Sequence, residues 1–113
     1  MVSDGFREFT LEQLGRVAPA IRSRRMFGGV GVYSSDRFFA LIDDDVLYLK
    51  ADAATRPEFE AAGMPPFRPA GEGGETMSYY AVPAEILEDA ESLEAWVNRA
   101  LDAAMRRRVR RPR

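Results

Sequence analysis

The segment Arg24-Arg25-Met26-Phe27-Gly28-Gly29-Val30-Gly31-Val32-Tyr33 places two adjacent guanidinium groups and three glycines in what reads as a β-strand. The planar guanidinium fork suits a carboxylate or a phosphate. Arg24 and Arg25 are therefore candidate partner-binding residues. Glycine weakens a strand interior and usually marks a bulge or the close approach of another backbone. In an extended chain Gly29 and Gly31 fall on the same side as Phe27 and Tyr33. The missing side chains leave a shallow slot for a helix of the same chain, a partner chain or a ligand backbone. The segment does not read as a phosphate loop, because it has no Walker lysine and no strand-to-helix boundary.

The second cationic feature is the end of the chain. The last eight residues hold six arginines and no acid, while residues 1–105 hold ten basic residues against eighteen acids, a balance of -8. Arg106, Arg107, Arg108, Arg110 and Arg111 are candidate nucleic-acid contacts, since clustered arginines release counterions from phosphates. The same residues suit the negative C-terminal end of a helix dipole, a solvated end, or acidic protein partners, including the acidic body of a second copy. The acidic remainder would repel a phosphate backbone, and no basic face interleaved with aromatics is visible.

Other constellations are weaker. Asp43-Asp44-Asp45 offers oxygen ligands to a hard cation, but the glycine and closing glutamate of an EF-hand are missing; a solvated hairpin turn fits better. Asp43, Asp44 and Glu58 are carboxylates that could do acid–base work, yet their spacing builds no defined pair. Tyr79 and Tyr80 alternate across one strand, with one expected to pack and the other to be partly exposed. A tyrosine nucleophile would need an adjacent base, and none is evident. Histidine and cysteine are absent. With them go the commonest general base and metal ligand, thiol chemistry and disulfides. Cysteine-free composition fits a reducing cytosol. No cofactor or metal is implied. No apolar run approaches the ~20 residues of a membrane-spanning helix, and the N-terminus lacks the pattern of an export signal. The expected setting is cytoplasmic.

The elements that carry these residues follow from periodicity. With 113 residues, 46% of them apolar, the chain suffices for one core. We expect one domain over 1–105 and an arginine-rich tail over 106–113. Phe6, Phe9, Leu14 and Val17 recur at helical spacing between Asp4 and Ala18, with Ser3 or Asp4 as cap and Pro19 as stop. A later start at the Thr10–Gln13 capping box is the alternative. Strands are expected over Arg25–Tyr33, Arg37–Ile42 and Val46–Ala51, joined by short polar turns that favour antiparallel neighbours. Leu47 and Leu49 share one face and Tyr48 and Lys50 the other, as in a sheet covered on one side. Thr55-Arg56-Pro57-Glu58 starts a short helix over 56–62, and Gly63 ends it. Phe67-Arg68 and Met77–Val82 read as further strands. Ala90, Leu93, Val97, Ala100, Leu101 and Ala104 form the apolar stripe of a last helix over 90–106. The result is a two-layer α+β domain with about five antiparallel strands in the order α-βββ-α-ββ-α.

Ordered pieces of this pattern resemble the N-terminal domain of the TfoX/Sxy family, bacterial regulators of competence for DNA uptake. The residues are Arg25–Tyr33, Phe39-Ala40-Leu41-Ile42, Leu47-Tyr48-Leu49-Lys50, Phe59–Gly63, Pro66-Phe67, Met77–Pro83, then Leu93 and Trp96. The likeness runs over roughly residues 7–104. It implies an antiparallel sheet with helices packed on it, similar to secretion chaperones, and no enzyme activity. It also implies a protein partner, a transcription activator of the cyclic-AMP-receptor type. Full-length members carry a second domain, which would begin where this chain ends. The expectations are thus a non-enzymatic regulatory module acting by protein–protein contact and, as alternatives, direct nucleic-acid binding through the arginine tail or an enzyme using carboxylates. A homodimer formed through an edge strand or a flat face is a further expectation.

Overall fold

The computed structural model describes residues 2–26, 28–69 and 77–109, with 107–109 described as backbone alone. Helix α1 (Asp4–Val17) is capped by the Ser3 hydroxyl, which accepts from the Phe6 amide. Strands β1 (Ile21–Met26), β2 (Gly29–Ser34), β3 (Arg37–Asp43) and β4 (Val46–Lys50) follow as a meander. Then come α2 (Arg56–Ala61), β5 (Pro66–Phe67), β6 (Met77–Val82), α3 (Ala84–Leu87) and α4 (Ala90–Val109). All six strands join one antiparallel sheet in the order β1-β2-β3-β4-β6-β5. The expected two-layer α+β domain is present, with one strand and one short helix more than the periodicity indicates.

The extra strand comes from the glycine-rich segment. It is not a single strand over 25–33 but two strands joined by a tight turn, with Met26 opposite Gly29. Gly28 makes the turn with a φ of 80°, a conformation that costs glycine little. A Cβ on Gly29 would sit 2.5 Å from the Ile42 carbonyl oxygen, so that glycine does mark the close approach of another backbone. A Cβ on Gly31 would sit 2.5 Å from the Met26 methyl and 3.0 Å from a Phe38 ring carbon. The slot above Gly31 is thus filled by side chains of the flanking strands rather than by a helix. Phe27 lies outside the described residues.

Two other hairpins close through left-handed residues. Ser35 turns β2 into β3, and Asp44 and Asp45 turn β3 into β4 with φ of 51° and 59°. Consecutive positive φ values at a two-residue loop match the twist of the flanking strands, and Asp tolerates them. The Asp45 carboxylate also accepts from the Ser3 amide at 2.7 Å, tying this turn to the start of α1.

One face of the sheet is covered. Register places Val30, Ile42, Leu47 and Val82 in one row and Val32, Ala40, Leu49 and Tyr80 in the next, all buried. They pack against Leu93, Val97, Ala100 and Leu101 of α4 and Leu14 of α1. Each valine, leucine and isoleucine among them contributes on the order of 1.5–3 kcal/mol by leaving water. A bulge in β3 opposite Val32 and Tyr33 resets the alternation, so Phe39 and Ala40 are both fully buried while Phe38 stacks on Tyr33 on the opposite face. Such re-aiming is what an extra strand residue does. Phe59 of α2 sits between Tyr80 and Trp96, with ring centroids 5.4 and 5.0 Å away. Phe9, placed in the helical stripe by periodicity, is exposed; Gln13 is buried instead and donates to the Leu87 carbonyl at 2.9 Å.

Helix α4 continues through Arg106, so the expected boundary between domain and tail falls inside a helix. Arg106 makes a two-pronged contact with Asp52, Nε to Oδ2 at 2.7 Å and Nη2 to Oδ1 at 3.0 Å. Asp52 in turn accepts from the Ala54 and Thr55 amides, and its own amide donates to the Thr55 hydroxyl. The turn into α2 is therefore capped from Asp52, whereas Thr55 makes no side-chain cap on that helix. The Arg106 guanidinium, helped by Thr55, lowers the Asp52 carboxyl from 3.8 to about 2 despite partial burial.

Two outcomes follow from this packing. Gly29→Ala drives a methyl into backbone and is expected to cost about 1–3 kcal/mol by urea unfolding. Gly31→Ala is expected to cost less, because the Met26 tip can swing aside. Because the folded Asp52 carboxyl titrates below its unfolded value, the stability it contributes is complete above about pH 3.8 and disappears as pH falls through about 2. The difference in urea midpoint between the native chain and Asp52→Asn should be constant above that window and shrink within it.

Candidate functional site

No helix covers the second face of the sheet among the described residues. Its side chains are Met26 of β1, Tyr33 of β2, Phe38 and Leu41 of β3, Tyr48 and Lys50 of β4, Phe67 of β5, and Met77 and Tyr79 of β6. Strand alternation puts them there, out of phase with the buried rows. Phe38 stacks on Tyr33 at 5.0 Å and lies 6.0 Å from Tyr79, and Tyr48 meets Phe67 at 4.7 Å. The Lys50 ammonium sits 5.0 Å from the Tyr79 ring centre. Between these rings a groove of about 480 Å³ is lined by Met26, Phe38, Leu41, Phe67, Met77 and Tyr79, with Asp43 at one margin. Burial, then the nearby Asp43 and Asp44 charges, raise the Tyr48 hydroxyl, so it stays a neutral phenol at ordinary pH. Met77 is 45% exposed.

The two tyrosines of β6 divide as alternation requires, but both are buried, Tyr79 in this layer and Tyr80 against Phe59 with its hydroxyl donating to Glu60 at 3.1 Å. A second depression, about 850 Å³, lies at the end of the sheet between α1 and α3 and includes the exposed Phe9.

Strand β1 borders the uncovered face and is exposed from Arg22 to Arg25. Arg24 and Arg25 are consecutive residues of one strand, so they project to opposite faces, opposite Gly31 and Val30. They cannot close on one carboxylate as a joint clamp, although each can meet its own. Arg22, which the sequence reading passed over, shares the face of Arg24; its guanidinium donates to the Ser35 carbonyl at 3.1 Å and lies 5.2 Å from the Tyr33 ring centre. Gly31 leaves room for Met26 and Phe38 to lie over it, and Gly29 leaves room for the Ile42 carbonyl.

The remaining candidates scatter. Arg106 is engaged by Asp52 within the fold. Arg107 and Arg108 belong to the last turn of α4, with side chains outside the described residues, as are Arg110 and Arg111. Glu58 pairs with Arg99 of α4 at 2.8 Å, on a different element from the hairpin that holds Asp43 and Asp44. Among the described residues no three His, Cys, Asp or Glu side chains gather as metal ligands, and no helix is long and apolar enough to cross a membrane.

The arrangement sets an apolar sheet face beside an arginine-bearing edge. Comparison with known proteins agrees with the fold. The chain is 34% identical over 58 residues to the DNA transformation protein TfoX1 of Aliivibrio fischeri, an alignment covering 51% of this chain and 26% of that protein. The matched region thus spans about a quarter of the relative's length. The sequence also matches the model of the TfoX N-terminal domain over residues 12–104, and with most of its length inside that match the chain belongs to the TfoX N-terminal domain family.

Proposed function

We propose that this chain is a non-enzymatic regulatory module that acts by protein–protein contact in the control of DNA uptake, with the uncovered sheet face as its contact surface. The observation that carries the reading is the continuous apolar layer of Met26, Phe38, Leu41, Tyr48, Phe67 and Met77, over which no helix lies among the described residues, while the β2, β3, β4 and β6 rows of the opposite face are buried. Contiguous apolar surface on a small domain marks an interaction site. Family membership supplies the biological setting: the matched relative is a DNA transformation protein. The partner this setting implies is a transcription activator of the cyclic-AMP-receptor type, engaged in the cytoplasm.

The test uses the full chain and the purified activator of that type from the same cell, with complex formation followed by calorimetry. Leu41 is half-buried on the contact face and lines the groove, so Leu41→Arg should leave the far-UV spectrum unchanged and weaken the complex about tenfold or more. Absence of any complex with the native chain, or full affinity in Leu41→Arg, would overturn the reading.

A further inference from the structure

We propose that β1 is a docking edge that accepts an extended, acidic segment of a partner protein as an added strand. This rests on the reading of the chain as a protein-contact module and names the part of the surface that selects the partner.

The backbone supplies the first argument. The Ser35 amide donates to the Ala20 carbonyl at 3.0 Å, which makes those two residues a hydrogen-bonded pair. Antiparallel ladders alternate bonded and non-bonded pairs. With the register of β1 on β2, Arg22, Arg24 and Met26 turn their N–H and C=O groups inward to Tyr33, Gly31 and Gly29. Ile21, Ser23 and Arg25 turn theirs outward. No strand lies beyond β1 among the described residues. The opposite edge is different: β5 is only two residues long, begins with Pro66 and is flanked by Pro65 and Pro69. Short, proline-bearing edges are how sheets discourage pairing, and β1 lacks both devices.

Charge supplies the second argument. Six residues of β1 hold three arginines and no acid. Arg22 is held back against Tyr33 and Ser35, while Arg24 and Arg25 are exposed and form no ion pair with any described residue. A second copy pairing through β1 would set arginine against arginine, and like charges directly opposite destabilise a ladder. An acidic guest meets the reverse situation. A nucleic-acid backbone fits less well, because it offers acceptors to the outward carbonyls of Ile21, Ser23 and Arg25, whereas a peptide offers donors and acceptors in alternation.

The side chains then define the guest. Arg24 and Met26 lie on the uncovered face and Arg25 on the other. An antiparallel guest therefore reads apolar, acidic, acidic, with its apolar residue beside Met26 at the mouth of the groove and its two acids beside Arg25 and Arg24.

The experiment is fluorescence anisotropy of the full chain with a labelled peptide of about six residues in which leucine is followed by aspartate and glutamate between β-branched residues. Saturable, salt-sensitive binding is expected. Arg24→Glu combined with Arg25→Glu should weaken it about tenfold or more. Ser23→Pro removes an outward N–H without touching the internal ladder, and edge positions tolerate proline; it should abolish binding while retaining every charge. A peptide methylated on alternate backbone nitrogens should fail against the native chain, which keeps the test valid if Ser23→Pro does not fold. No binding up to about 1 mM, undiminished binding by Ser23→Pro and the methylated peptide, or equal displacement by a single-stranded oligonucleotide would each overturn the proposal. A Leu41-dependent complex that still forms when the edge binds no peptide would overturn this proposal and leave the functional reading standing, whereas absence of that complex would overturn the functional reading itself.

Discussion

One helical layer must serve a sheet of six strands, and α4 does most of that work. Its stripe of Leu93, Val97, Ala100 and Leu101 crosses the rows contributed by β2, β3, β4 and β6. The chain has no second layer of helices to spend on the other face among its described residues, so the rings and methionines of that face satisfy one another instead. Stacking of Phe38 on Tyr33 and of Tyr48 on Phe67 removes part of their surface from water, and aromatic contacts of this kind add about 0.5–1.5 kcal/mol beyond burial. The layer remains half-buried. A domain stable enough to fold on one covered face is left with an apolar surface on the other.

That asymmetry explains why polar contacts concentrate at the ends of elements. Arg106 fastens the last turns of α4 to Asp52 at the entrance of α2, and Asp45 fastens the β3–β4 turn to α1. Neither lies in the covered core. Both lock the helical layer to the sheet at its rim, where charged groups keep contact with water and need no complete desolvation. The arginine closest to the body of the chain is thereby a structural clamp, and the cationic run divides into a residue that holds the fold and residues beyond it.

Legibility followed the strength of each local signal. Helix α1, the β3 and β4 strands, the start of β6 and the stripe of α4 were readable because periodicity, caps and turn residues agreed. The β1–β2 hairpin was not, because Arg24 to Tyr33 contains no polar turn pair and its glycines serve two purposes. Gly28 makes the turn, while Gly29 and Gly31 make room for Ile42 and Met26. Only the paired neighbours distinguish those roles, β3 at Gly29 and both β1 and β3 at Gly31, and that pairing is not evident before the hairpin is known. Helix α3 was missed because four residues hold too little periodicity to show. The uncovered face was half legible: Tyr48 alternating with Leu47 and Leu49 indicated it, but the β3 bulge that moves Phe38 onto that face leaves no mark in the sequence. Arg24 and Arg25, candidates by residue type, lie exposed on β1; their divergence to opposite faces required knowing that the strand begins at Ile21.

The location of those arginines on an edge strand, rather than on a helix or loop, constrains what they can do. On a helix they would form a diffuse cationic patch, open to any anion. On β1 their spacing is tied to a row of backbone donors and acceptors with a fixed repeat of ~3.4 Å per residue. Charge that repels a second copy of the same edge also keeps the edge available, since arginines suppress self-pairing without blocking the backbone as proline would. In the proposed docking, selectivity and resistance to self-pairing would come from the same residues. Under the proposed docking, the apolar layer would offer contact area and the edge would limit its use to chains that are extended, acidic and able to place an apolar side chain beside Met26.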